Sequence, residues 1–75
     1  MTTDLPAAMP SPMRQARRSV VQLTGMGYTR REAATIVMAV CDIATLRFRR
    51  KHPGADPDWL AAVCAEARHI RDTSH

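Results

Sequence analysis

The chain has 75 residues and a formal net charge of +4, enough for one small domain with a single core. A core of this size supplies only about 3–5 kcal/mol of stability, which argues against a large substrate cleft. Two cysteines are too few for a disulfide framework, and residues 1–12 lack the basic start and apolar segment of a signal peptide. We therefore expect a cytoplasmic protein with free thiols.

Residues 1–10, MTTDLPAAMP, show no periodicity and contain two prolines, which predicts a disordered tail. Ser11 followed by Pro12 is typical of an N-cap with proline in the first helical position. The first helix should therefore begin at Pro12 and stop at Gly25 and Gly27. Its predicted apolar face is Met13, Ala16, Val20 and Leu23, which follow a helical spacing.

The central helix should begin at Arg30, because Thr29 and Glu32 have the spacing of a capping box. No helix breaker follows until His52-Pro53, where the residue before proline is pushed out of the helical region. Residues 33–46, AATIVMAVCDIATL, are apolar over most of the helix circumference, so this helix must be covered on more than one side. Its large apolar face is Ala33, Ile36, Val37, Val40, Ile43, Ala44 and Phe48, and beside it lies a smaller-residue face of Ala34, Met38, Cys41 and Thr45.

Asp56-Pro57 repeats the signal of a cap followed by proline and predicts the start of a third helix. Its apolar face is Trp59, Leu60, Val63, Ala67 and Ile70, at helical spacing. We expect residues 72–75 to fray. The predicted fold is thus all-α, a single three-helix domain over residues 11–71 with a long central helix.

The residues that could carry chemistry are two cysteines and two histidines, Cys41, Cys64, His52 and His69. Structural zinc sites bring ligands in close pairs such as C-x2-C, and here the nearest pair is five residues apart and on different sides of a helix. Burial of Cys41 in an apolar environment would also oppose a thiolate nucleophile. We therefore expect no metal, no cofactor, no small-molecule substrate and no enzyme activity.

Residues 32–34, Glu-Ala-Ala, followed by residues 45–47, Thr-Leu-Arg, resemble helix-turn-helix proteins of the excisionase and MerR-like kind. That resemblance implies DNA binding and a turn between the two segments. Residues 37–42 contain no helix breaker, however, so from the residues themselves we predict an uninterrupted helix.

Residues 23–33, LTGMGYTRREA, resemble the first loop of ubiquitin-associated (UBA-like) three-helix domains, which carries Met-Gly-Phe or Met-Gly-Tyr. The segment is also similar to the C-terminal module of the branch-migration protein RuvA. The resemblance implies three helices and a protein-binding patch formed by the loop and the third helix. On this chain the patch would consist of Met26, Gly27 and Tyr28 with Leu60 or Val63. The chain departs from that pattern in its second helix, which is predicted to be about twice as long as the second helix of UBA-like domains.

The first and third helices each have a single apolar face, and two such faces cannot cover the whole central helix. If Ile36, Val40 and Ile43 face the neighbours, then Met38, Cys41 and Leu46 are left at the edge as an interface. We therefore expect an interaction or regulatory protein that forms a homodimer or docks on a protein partner.

The alternative is a small DNA- or RNA-binding protein, because residues 14–51 carry nine basic residues against two acids. Its candidate contacts are the cations of the first helix and of the end of the central helix, namely Arg14, Arg17, Arg18, Arg47, Arg49, Arg50 and Lys51. A membrane is not expected, since the apolar run is shorter than the about 20 residues that span a bilayer.

Overall fold

A computed structural model describes residues 10–55 and 57–74. These residues form three helices: α1 (Pro12–Gly25), α2 (Arg30–Lys51) and α3 (Asp58–Thr73). Each helix contacts both of the others. The predicted all-α, three-helix domain with a long central helix is confirmed, while the predicted N-terminal tail falls almost wholly on residues 1–9, outside the described residues.

The first two helices begin where their capping residues predict. The Ser11 hydroxyl accepts a hydrogen bond from the Arg14 amide at 3.1 Å, with Pro12 in the first turn. At the start of α2 the Glu32 amide donates to the Thr29 hydroxyl at 3.0 Å, and the Thr29 amide donates to the Glu32 carboxylate at 2.9 Å. The hydrogen bond that the carboxylate accepts from the Thr29 amide, followed by its interaction with the Thr29 side chain, holds the pKa of Glu32 below its usual value.

The link between α1 and α2 is a tight turn that needs glycine. Gly27 has a φ of 110°, a left-handed conformation that side chains disfavour. The Met26 and Tyr28 amides both donate to the Leu23 carbonyl, at 3.0 and 3.3 Å, which satisfies the end of α1. The predicted helix stop at Gly25 and Gly27 is confirmed.

The boundaries of α3 differ from the prediction by one residue at the start and two at the end. The helix begins at Asp58 with Pro57 as its N-cap residue, and the predicted cap at Asp56 lies outside the described residues. At the other end it continues to Thr73 instead of fraying after residue 71. The Ser74 hydroxyl is buried and donates to the Ile70 carbonyl at 2.6 Å, which holds this end against the core.

The core is built from small and medium-sized side chains of all three helices. Its buried members are Ala16 and Val20 from α1, Ala33, Ala34, Val37 and Cys41 from α2, and Val63, Ala67 and Ile70 from α3. Four of the nine are alanines with no exposed surface. Alanines at the contact allow helices to approach closely, which compensates in dispersion energy for the small area that each one buries.

The structure corrects which face of α2 is buried. Val40 and Ile43, expected to face the neighbouring helices, are 58% and 54% exposed. Cys41, expected at an exposed edge, is buried, and Met38 packs against the core. The neighbouring helices pack on the side where the two predicted faces meet, which buries Ala33 and Val37 of the large face and Ala34 and Cys41 of the small-residue face. The β-branched side chains of Val40 and Ile43 remain in solvent.

The predicted face of α1 is only partly correct. Ala16 and Val20 are buried and Leu23 packs against the core, but Met13 is 48% exposed. No helix within the described ranges is long and apolar enough to cross a membrane.

Candidate protein-binding surface

A groove of about 360 Å³ runs between the three helices on one side of the domain, and we call it the interhelical groove. Its floor is the core itself, formed by Val37, Cys41 and Val63. Its walls are Gln15, Ser19, Gln22, Leu23 and Met26 from α1 and its following turn, Ile36, Val40 and Ala44 from α2, and Trp59 and Leu60 from α3. The volume lies within the range of small-ligand and peptide pockets.

The interhelical groove is apolar and open to solvent. The described residues that line it include no charged side chain, and its polar members are two glutamines and a serine on one wall. Met26 and Val40 present large apolar surfaces there, at 73% and 58% exposure. Apolar groups collected in a concave surface are typical of a binding site for another apolar group.

Trp59, the only tryptophan of the chain, is held in the groove wall. Its indole Nε1 donates a hydrogen bond to the Pro10 carbonyl at 2.8 Å, across the start of α1. This bond satisfies the polar edge of the ring while its half-buried face packs against the core. The ring orientation is therefore fixed by contacts at both its polar and its apolar side.

A second apolar surface lies along α2 and continues past the groove. Ile36, Ala39, Ile43 and Leu46 follow one another at spacings of three and four residues, and we call this row the α2 seam. Ile43 and Leu46 are 54% and 63% exposed, and neither lines the interhelical groove. The seam is therefore a separate surface that shares only Ile36 with the groove.

The structure brings together part of the patch implied by the UBA-like resemblance. Met26, Leu60 and Val63 all line the interhelical groove, with Val63 buried in its floor. Tyr28 is exposed but lies on a different depression, lined also by Thr35 and Ile36. Gly27 is exposed and serves the turn through its left-handed φ.

Among the residues predicted for the edge of the central helix, only Leu46 is a surface residue. Met38 is half-buried against the core, and Cys41 is 5% exposed and reaches the groove only as part of its floor. Sequence reasoning missed Val40 and Ile43 as exposed residues and Trp59 as a groove residue. Apolar residues are spread evenly around α2, so the sequence pattern does not show that Val40 and Ile43 are exposed.

The seven candidate nucleic-acid contacts are all exposed. Arg14, Arg17 and Arg18 surround a shallow depression on the outer face of α1, next to Met13 and Val21. Arg17 Nε lies 3.8 Å from a Glu66 carboxylate oxygen, a long surface ion pair that contributes little stability. The other four candidates lie in the last two turns of α2.

The thiols of Cys41 and Cys64 are both free. Burial, and to a lesser extent the charges of Cys64 and Asp42, raise the pKa of the Cys41 thiol above its usual value. A raised pKa keeps this thiol protonated and poorly nucleophilic near neutral pH. Within residues 10–55 and 57–74, no three His, Cys, Asp or Glu side chains converge as metal ligands would.

Comparison with known proteins identifies no relative of this chain. No protein-family model matches it, and neither a curated protein nor a solved structure does so. The resemblances to UBA-like and helix-turn-helix proteins therefore remain predictions from short motifs. The predicted uninterrupted helix is confirmed, since α2 is continuous across residues 37–42.

Proposed function

We propose that this chain is a non-enzymatic interaction domain that binds an amphipathic helix of a partner protein in the interhelical groove. The observation that carries the proposal is the combination of an apolar, solvent-open groove with the large exposed surfaces of Met26 and Val40 on its walls. Two free thiols in a domain without a disulfide fit a reducing compartment, so we place this function in the cytoplasm.

A helix is the occupant that fits the shape of the groove. The walls are themselves helices, and a groove between helices accepts the apolar side chains that recur at i, i+3, i+4 and i+7 on one face of a bound helix. The groove offers few unpaired backbone groups to an extended peptide, because helical backbone is already hydrogen-bonded internally. Affinity would come from burying Met26, Val40 and Leu60 against that apolar face.

Acidic residues should flank the apolar face of the bound helix. The α2 wall of the groove continues at Arg47, three residues after Ala44, and then at Lys51, four residues further along. Both side chains are exposed, and the chain as a whole carries a net charge of +4. An acidic flank beside these two cations would speed association and orient the bound helix.

The test uses Trp59 as a reporter in the groove wall. Two synthetic helical peptides of equal length carry leucines at the same i, i+3, i+4 and i+7 positions, with glutamates elsewhere in one and lysines in the other. The glutamate peptide should shift Trp59 fluorescence to shorter wavelength in a saturable titration, because it removes water from the groove. The lysine peptide should leave the emission unchanged at the same concentrations.

The matched variants are Met26→Glu and Met13→Glu. Both place a carboxylate at an exposed methionine, but only Met26 lines the interhelical groove. Met26→Glu should weaken binding of the glutamate peptide about tenfold, the loss of roughly 1.4 kcal/mol, and Met13→Glu should leave it unchanged. No fluorescence change with the glutamate peptide, or equal weakening by both variants, would contradict the proposal.

Nucleic-acid binding is the second candidate, favoured by the exposure of all seven basic side chains on α1 and the end of α2. If this function holds, replacing Arg49, Arg50 and Lys51 together with Ala should weaken binding equally for all sequences and flatten its dependence on salt. The measurement is a mobility-shift titration on duplex DNA and on RNA. Absence of any shift at about 50 mM salt would remove this candidate, since non-specific binding is strong there.

A further inference from the structure

We infer that a second copy of the chain packs antiparallel on the α2 seam and forms a two-fold symmetric dimer. This interface adjoins the groove of the proposed function and shares Ile36 and, at its flank, Val40 with it. The seam residues, Ile36, Ala39, Ile43 and Leu46, repeat at the 3-4-3 spacing of a helix–helix contact. Ile43 and Leu46 leave more than half of their surface in solvent, which is a large apolar exposure for so small a domain.

The charges at the two ends of the seam indicate that the occupant is another copy. Glu32 lies four residues before Ile36, and Arg50 lies four residues after Leu46, so both continue the same row. Both side chains are exposed. The row therefore has an acid at one end, a base at the other and apolar residues between. The same row of a second copy that runs in the opposite direction is complementary to it.

Suppose that two copies pack antiparallel, with the two-fold axis level with residue 41 along α2. Every residue of the row then faces a complementary residue of the partner. Ile36 then lies opposite the partner's Leu46, and Ala39 lies opposite the partner's Ile43. The same register places Glu32 opposite the partner's Arg50, and the symmetry repeats each contact. A parallel pair would instead set Glu32 against the partner's Glu32 and Arg50 against the partner's Arg50, which like-charge repulsion disfavours.

The small side chain of Ala39 lets the two α2 helices approach closely at the centre of the contact. On one flank of the contact Val40 lies beside the partner's Val40, and both side chains become partly buried. The other flank sets Asp42 against the partner's Asp42, a like-charge contact at the surface. Asp42→Asn should therefore tighten the dimer, a result that docking of an unrelated partner on α2 would not produce.

Sedimentation equilibrium of the full chain tests the inference. At high micromolar concentration the wild type should sediment at twice the 8.3 kDa chain mass. Ile43→Glu should weaken the dimer at least about thirtyfold while the circular dichroism stays helical, because it buries a carboxylate at the centre of the seam. Val21→Glu, the same kind of change at a valine that is 65% exposed on α1, should leave the dimer intact.

The register is tested by two charge reversals that are each unfavourable alone. Arg50→Glu and Glu32→Lys should each weaken self-association, whereas an equal mixture of the two variants should form a heterodimer, since each then meets an opposite charge. Glu32→Lys also removes the acceptor of the Thr29 amide, and Glu32→Gln, which keeps that acceptor without the charge, should weaken the dimer less than Glu32→Lys. Lys51→Glu makes the same charge change in the same helical turn but off the seam, and should leave the dimer unchanged.

Three results would overturn the inference: a monomeric wild type at high micromolar concentration, a dimer that survives Ile43→Glu, or no recovery on mixing the charge-reversed variants. Binding in the groove is tested separately by the peptide titration and by Met26→Glu, because Met26 lies in the groove and outside the seam.

Discussion

Replacing Val20 by Asp should unfold the domain. Val20 is 2% exposed and lies in the middle of α1, in the core that all three helices form. Burying an unpaired carboxylate there costs about 4–5 kcal/mol or more. A single core in a domain of this size supplies only about 3–5 kcal/mol, so the variant should lose its helical circular dichroism at 25 °C.

The adjacent valine supplies the control. Val21 is 65% exposed, so Val21→Asp makes the same chemical change in the same helix with little desolvation. It should alter the free energy of unfolding by only about 0.5–1 kcal/mol, mostly through helix propensity. Equal unfolding by the two variants would mean that the burial of α1 described above is wrong.

Replacing Ala67 by Leu should lower the free energy of unfolding by about 1–3 kcal/mol through overpacking. Ala67 has no exposed surface, and it belongs to the same buried cluster as alanines of the other two helices that are equally buried. Added side-chain volume at such a contact must separate the helices or force side chains out of their preferred rotamers. Chemical denaturation at low protein concentration measures the loss.

Ala65 is the matched position, two residues earlier in α3 and exposed. Ala65→Leu should change the free energy of unfolding by no more than about 0.5 kcal/mol. If Ala67→Leu instead stabilised the domain, the alanine contact would contain unfilled space, and close approach of the helices would not explain the composition of the core.

The turn between α1 and α2 explains why the candidate site was only partly predictable. Met26 and Leu60 were predicted from a loop motif and a helix face, and both line the interhelical groove. Tyr28 belongs to the same motif but lies on another depression, since the chain has already turned toward α2. A contiguous motif does not have to form a contiguous surface when a turn lies within it.

The sequence itself determined the boundaries of α1 and the start of α2. The pairs Ser11-Pro12 and Thr29 with Glu32 satisfy the first amides of their helices through local hydrogen bonds, and Gly27 allows a turn that other residues resist. These effects act over three or four residues and need no tertiary contact. The starts of α1 and α2, the end of α1 and the unbroken length of α2 could therefore be read from the chain alone.

The buried face of α2 was decided only by the tertiary structure. Apolar residues cover most of its circumference, so periodicity does not distinguish the side of Val40 and Ile43 from the side of Ala34 and Cys41. The choice depends on how closely α1 and α3 can approach, and small side chains allow the closer contact with more dispersion energy. Val40 and Ile43 are left in solvent as a result, and the candidate surfaces of the domain exist because of that packing.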